Sequence, residues 1–132
     1  MPIDPSLVGR SFPPTGAYEV TEDRVRAFAE ATGGSYDGGA APATYPIVLA
    51  FEAMTNFLEA ESVDLFRIVH GEQKFAYQRP IAPGDVLTAT LTVASLRQIA
   101  GNDIIGTTSE VTDSGGSLVC STSATLVHRA GE

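Results

Sequence analysis

The sequence is short of positive charge and has almost no cysteine or histidine. Eight lysines and arginines stand against sixteen acids, for a formal net charge of −8. Nucleic acids and anionic membranes present phosphates that Lys and Arg must meet, so this composition argues against either as a main partner. Arg24 and Arg26 come nearest to a basic cluster, and two cations on one helix make no groove. Acidity of this degree is explained by solubility alone. Cys120 is the one cysteine, which excludes an intrachain disulfide. One Cys with two distant histidines, His70 and His128, and no C-x-x-C or H-x-x-x-H spacing, gives no metal set, so neither metal nor cofactor is expected. No apolar run reaches the about 18 residues that a membrane-spanning helix needs. The opening MPIDPSLVGR lacks the basic-then-apolar order of a signal peptide, so the cytoplasm is the expected location. The absence of a G-x-S-x-G elbow disfavours a serine-nucleophile hydrolase.

What is present is ordinary globular material, 43% hydrophobic and 18% charged over 132 residues, and it is expected to form one domain over residues 1–132. The thirteen glycines and eight prolines fall mostly between apolar runs and act as punctuation. Thr21 is a good N-cap, with Glu22 and Asp23 in the first turn where the helix dipole favours acids. Val25, Phe28, Ala29 and Thr32 recur at helical spacing until Gly33-Gly34, which predicts a short amphipathic helix. Residues 33–45, GGSYDGGAAPATY, read as an irregular loop. From Pro46 to Ala60 the run PIVLAFEAMTNFLEA is apolar on nearly every side, as in a buried helix, with Glu52, Thr55, Asn56 and Glu59 as one narrow polar stripe.

Beyond residue 65 the period changes to two. Strands are predicted at 66–79, 85–98, 103–113 and 117–129, with turns at 80–85, 100–103 and 112–116. Even spacing and tight turns point to an antiparallel meander. Thr88, Thr90, Thr92, Thr107, Thr108, Thr122 and Thr125 fit strands that are half exposed. A lone helix that is apolar all round has to be wrapped, and a curved antiparallel sheet folded around it is the economical α+β solution. That arrangement is the hot-dog fold.

Three segments carry a family resemblance. Leu7-Val8-Gly9-Arg10, Tyr18-Glu19-Val20-Thr21 and Phe28-Ala29-Glu30-Ala31-Thr32-Gly33 resemble the opening of MaoC-like dehydratase domains. His70-Gly71-Glu72-Gln73-Lys74-Phe75, Arg79-Pro80-Ile81 and Pro83-Gly84-Asp85-Val86-Leu87 are similar to the strand, turn and strand after that family's central helix. Val111-Thr112-Asp113, Gly116-Ser117-Leu118-Val119 and Ala124-Thr125-Leu126-Val127 resemble its closing hairpin. The order and spacing resemble most the stand-alone actinobacterial branch that includes a non-catalytic subunit of the (3R)-hydroxyacyl-carrier-protein dehydratase. The resemblance implies dimers, an acyl-thioester tunnel at the subunit interface, and loss of water from a 3-hydroxyacyl chain carried on a carrier protein or coenzyme A.

Such a dehydration needs a base for the proton alpha to the thioester, an acid for the departing hydroxide, and N–H donors for the enolate oxygen. In catalytic MaoC-like domains the resemblance places an Asp and a His in the loop before the central helix, in a D-x-N-P-x-H type run. Here that loop holds Asp37 but neither Asn-Pro nor His, and it is shorter than is usual in the family. Two residues are candidates to replace the pair. Glu52 lies mid-helix in an E-A-M context like that of the carrier-protein dehydratases, or is simply part of the wet stripe. His70 shares a predicted strand face with Phe66, Ile68 and Glu72 and titrates near neutral pH, or is a structural strand histidine. Asp37, before two glycines, reads as a turn residue. Cys120 reads as a small core residue, and His128, near the chain end, is discounted.

Three functions follow. The first is an acyl-chain-binding, non-catalytic subunit that pairs with a catalytic hot-dog chain, with Phe51, Met54, Phe57 and Leu58 lining or supporting the channel. The second is a self-sufficient homodimeric dehydratase, isomerase or thioesterase using Glu52 with or without His70. The third is a non-enzymatic acyl-thioester binder.

Overall fold

A computed structural model of the chain describes residues 4–129, so residues 1–3 and 130–132 of the expected domain lie outside the described residues. The elements run β1 (Tyr18–Glu19), α1 (Glu22–Ala31), α2 (Ile47–Ala60), β2 (Ile68–Tyr77), β3 (Val86–Ile99), β4 (Asn102–Asp113) and β5 (Leu118–His128), with 3-10 turns at Pro5–Leu7 and Leu65–Arg67. The five strands form one antiparallel sheet in the order β1-β3-β4-β5-β2, curled about α2. This is the expected α+β hot-dog architecture.

Local chemistry accounts for both helices. The Thr21 hydroxyl accepts from the Arg24 N–H at 3.2 Å and caps α1, whose Val25 and Ala29 turn inward. Gly33, at φ +88, then ends the helix in the left-handed region that glycine adopts without a steric penalty. In α2, Leu49, Ala50, Ala53, Met54, Phe57 and Leu58 are buried, while Glu52, Asn56 and Glu59 stay exposed as one stripe. The buried side meets Leu87, Ala89, Leu91 and Val93 of β3, Ile105 and Val111 of β4 and Leu126 of β5 in a single core. Phe57 packs edge-on against Phe12 with ring centroids 5.0 Å apart.

One group in α2 is out of place. The Thr55 hydroxyl is buried and has no hydrogen-bond partner. An unpaired buried hydroxyl costs about 1–3 kcal/mol, and valine has the same shape without that group. Thr55→Val is therefore expected to raise the stability by about 1 kcal/mol, measured as a shift in the urea midpoint at unchanged slope; a loss of stability would show that the hydroxyl is satisfied in solution.

The meander expectation holds for three strands and fails for the fourth. β3, β4 and β5 are successive neighbours, but β2 pairs with β5 rather than with β3. Residues 80–85 are therefore a crossover, not a hairpin turn. The reason lies at the other edge of β3, which is already taken by β1 and by the preceding segment. Gly9 and Phe12 donate to the Val93 and Leu91 carbonyls at 2.7 and 2.9 Å, and Thr15 donates to Ala89 at 2.9 Å. The free edge of β5 is the one left for β2.

A three-residue ionic network holds the crossover. Arg79 reaches Asp85 at 3.0 Å and Asp113 at 3.4 Å, while Asp113 also accepts the Gly115 and Ser117 N–H groups. Burial opposes ionisation of Asp85, but the Arg79 hydrogen bond, the Ala82 N–H and the guanidinium charge outweigh it and hold the carboxyl below its usual range. The Ser117 N–H does most to hold Asp113 low, with Gly115 and Arg79 adding to it against burial. Carboxyls depressed in the folded state contribute stability that is complete above the unfolded value of about 3.9 and is lost as pH falls through the folded value. Melting temperature is accordingly expected to drop below about pH 4, and Arg79→Gln to lower the neutral-pH plateau while flattening that acid drop. A variant with an unaltered acid limb would rule out the network as the cause of the drop.

Candidate functional site

The helix does not sit centrally in the sheet. α2 lies chiefly over β3, and less over β4, so the concave side of β5 and β2 runs beside it uncovered. A cleft of about 10 Å³ opens there. Ile47, Ala50, Phe51 and Met54 form its helix wall; His70, Gln73, Thr107, Ser109, Thr122 and Ala124 form its sheet wall. Its volume is close to that of a single water-sized probe, so no acyl tunnel is preformed within one chain.

The expected channel residues divide between mouth and core. Phe51 is 48% exposed at the cleft and Met54, beside it, is buried. Phe57 and Leu58 belong to the core cluster and stand behind the helix wall.

His70 lies on the cleft, but not with the neighbours expected of it. A register shift between His70 and Glu72 interrupts the alternation of β2 at Gly71. Beyond such a bulge the faces exchange. Glu72 therefore shares its face with Lys74, at 3.6 Å, and accepts from the Thr125 hydroxyl at 3.3 Å. Gln73 takes the place beside His70, its Oε1 2.9 Å from Nε2. The imidazole thus faces an amide where unbroken strand alternation predicts a carboxylate. Glu52 is exposed on the outer stripe of α2, and among the described residues no hydrogen bond or ion pair joins it to His70 or to anything else.

The loop before α2, where the family resemblance locates an Asp/His pair, is held by tyrosines. The Tyr36 hydroxyl donates to the Gly39 carbonyl at 2.7 Å, and Tyr77, from β2, donates to the Ala43 carbonyl. Tyr45 is fully buried, with its hydroxyl 2.7 Å from that of Tyr18. Burial, and then the Tyr18 hydrogen bond, push the Tyr45 phenol well above its usual range. Burial, followed by the neighbouring Cys120, pushes Tyr77 up to about 12. Both are neutral hydrogen-bonding anchors at physiological pH. Ala41 adds a backbone bond to the Ile81 carbonyl at 2.7 Å, so the loop is tied to the crossover as well. Asp37 is exposed on the loop surface. Cys120 is fully buried, and burial raises its thiol, as suits a core residue and not a nucleophile.

His128, discounted on its place near the chain end, proves to be a buried and paired residue. It is 7% exposed, and its Nδ1 lies 3.1 Å from Oδ2 of Asp103, itself 3% exposed. Gln98 donates to the other Asp103 oxygen at 2.8 Å. The pairing arises because β5 runs its full length beside β4 and sets His128 opposite Asp103 across the ladder. Residues 25 apart in the chain carry no local signal of that kind. This pair lies at the end of the sheet and does not line the cleft.

Among the described residues no group of three potential metal ligands exists, and no helix is long and apolar enough to cross a membrane. The model for the FAS1-like, dehydratase domain region matches residues 6–122. The chain belongs to that family. Within the dehydratase-region family it is 39% identical to a UPF0336 protein of Streptomyces avermitilis, over all of this chain and 99% of the relative. It is 36% identical to one of Leifsonia xyli, with the same coverage. Both alignments extend over 148 positions against the 132 residues here, so the relatives carry residues that this member lacks. A chain of a (3R)-hydroxyacyl-ACP dehydratase complex from Mycobacterium tuberculosis superposes with TM-score 0.82 at 25% identity, covering 96% of this chain and 99% of the other. A MaoC-like dehydratase superposes with TM-score 0.80 at 26% identity, covering 96% of this chain and 43% of that one. The MaoC-like resemblance read from the sequence and its hot-dog fold are thus those of the dehydratase-region family.

Proposed function

We propose that the chain is the acyl-chain-binding, non-catalytic subunit of an (R)-specific 3-hydroxyacyl-thioester dehydratase or enoyl hydratase, paired with a catalytic hot-dog chain. The observation that carries this reading is the loop before α2. It holds no histidine, its one carboxylate is on the surface, and Tyr36, Tyr45 and Tyr77 fix it without any acid/base pair. A member of a dehydratase family whose loop is well anchored yet lacks the proton-transfer groups is suited to shaping a channel.

Two further features support the pairing. β2 is a ten-residue edge strand, and Phe51, Phe66 and Val69 on or near it are exposed at 48%, 87% and 45%. Long edges with apolar neighbours are normally covered in working proteins. The cleft beside that edge is also too small for a chain until something completes it. The similar mycobacterial dehydratase is itself a complex. The acyl group would be presented as a thioester of a carrier protein or coenzyme A. The homodimeric enzyme reading requires Glu52 to face a cleft with a donor in reach, whereas it stands on the exposed stripe without a partner. The test is hydration of 2-enoyl thioesters by the chain alone and by its mixture with a catalytic subunit.

A further inference from the structure

The strand threonines were expected to be half exposed, and most are. Thr107 and Thr122 are not: they are 4% and 1% exposed, and Ser109 beside them is 4% exposed. All three face inward among Ile105, Val111 and Leu126, which are fully buried. The concave sheet thus carries a polar island in an otherwise apolar surface, and that island is the floor of the cleft beside α2.

Its hydrogen bonding is incomplete. The Thr122 hydroxyl donates to the Ser109 carbonyl at 3.1 Å. The Thr107 and Ser109 hydroxyls have no hydrogen-bond partner among the described residues. Each can donate one hydrogen bond and accept others. Buried hydroxyls are normally satisfied, and an apolar tail pressed onto these two would leave both unpaired in a dry site. The mouth is different in character, with exposed His70 and half-exposed Phe51 at the β2 edge. A chain entering from that edge meets the hydroxyls last.

We infer that the cleft recognises an acyl chain whose distal end carries oxygen, a hydroxyl or carbonyl well beyond the reacting carbons, and that Thr107 and Ser109 are its specificity-determining residues. This rests on the acyl-channel reading of the chain. The cleft as it stands admits about one water-sized group. Met54, unbranched and on the helix wall, is the side chain able to yield. A site with buried hydroxyls discriminates strongly against a ligand that lacks their partner, because the loss falls on both sides of the contact.

The test uses the full chain and two probes of equal carbon number, the octanoyl and ω-hydroxyoctanoyl thioesters of N-acetylcysteamine, with binding measured by calorimetry. The wild type is expected to bind the ω-hydroxy chain about tenfold more tightly. Ser109→Ala combined with Thr107→Val is expected to abolish or reverse that preference by tightening the octanoyl chain. Both single variants should be measured too, so that a misfolded double variant does not decide the matter. A wild type that binds octanoyl as tightly as ω-hydroxyoctanoyl overturns this inference and leaves the acyl-channel reading standing. Binding of neither probe overturns both.

Discussion

Purified alone, the chain will show no turnover of 2-enoyl or 3-hydroxyacyl thioesters above background, and addition of a catalytic hot-dog subunit will produce it. Proton transfer by a positioned acid or base contributes about 10²–10⁴-fold. A chain without the pair should therefore fall at least about 10³-fold below the mixture. The decisive comparison is the rate of each chain alone against the two together, with size-exclusion light scattering to identify the active species. Activity that appears only in a fraction containing both chains is the expected result. Robust turnover by the isolated chain would sink the subunit reading. Glu52→Gln and His70→Gln would then separate the remaining options, since loss of rate in either variant places that residue in an active site of its own.

Asp103→Ala will be the most damaging single change in the sheet. It leaves His128 and Gln98 without their carboxylate in a region that is almost fully buried. Removing one member of a buried, charge-assisted pair costs about 3 kcal/mol, because the partner stays desolvated and unpaired. For a domain of this size that corresponds to about 10 °C in melting temperature. Asp103→Asn keeps an acceptor for one neighbour and should lose less. The informative control replaces both members, Asp103→Leu with His128→Leu, and should recover much of the loss because two apolar groups need no partners. A double variant that is worse than the sum of the singles would show that the pair does more than satisfy itself. A change below about 0.5 kcal/mol for Asp103→Ala would mean that the hydrogen bond is not formed in solution.

These outcomes bear on different levels of the molecule, and so does the sequence. Short-range features were legible because their causes are short-range. Thr21 caps α1 through a bond to a residue three positions on, and the stripe of Glu52, Asn56 and Glu59 is a matter of helical pitch. The hot-dog architecture followed from one helix with too little polar surface to stand in water and four strands available to wrap it. The missing acid/base pair was equally plain, since the absence of a histidine between Gly33 and Tyr45 needs no structure to be seen.

Other features depended on which strand found which edge. β2 was expected beside β3 because it precedes it, yet the N-terminal segment occupies that edge and β2 crosses to β5. The bulge at Gly71 changed the partner of His70 from a carboxylate to an amide, since one extra residue inverts every later side chain. The same register logic turned Thr107, Ser109 and Thr122 inward and set His128 against Asp103. The sequence alone determined the helices, the strand segments, the family and the loss of its catalytic loop residues, because each depends on neighbours a few positions apart. Only the tertiary structure decided the edge left open, the residues that share the cleft and the polar floor beneath α2, because strand pairing brings together residues separated by tens of positions along the chain.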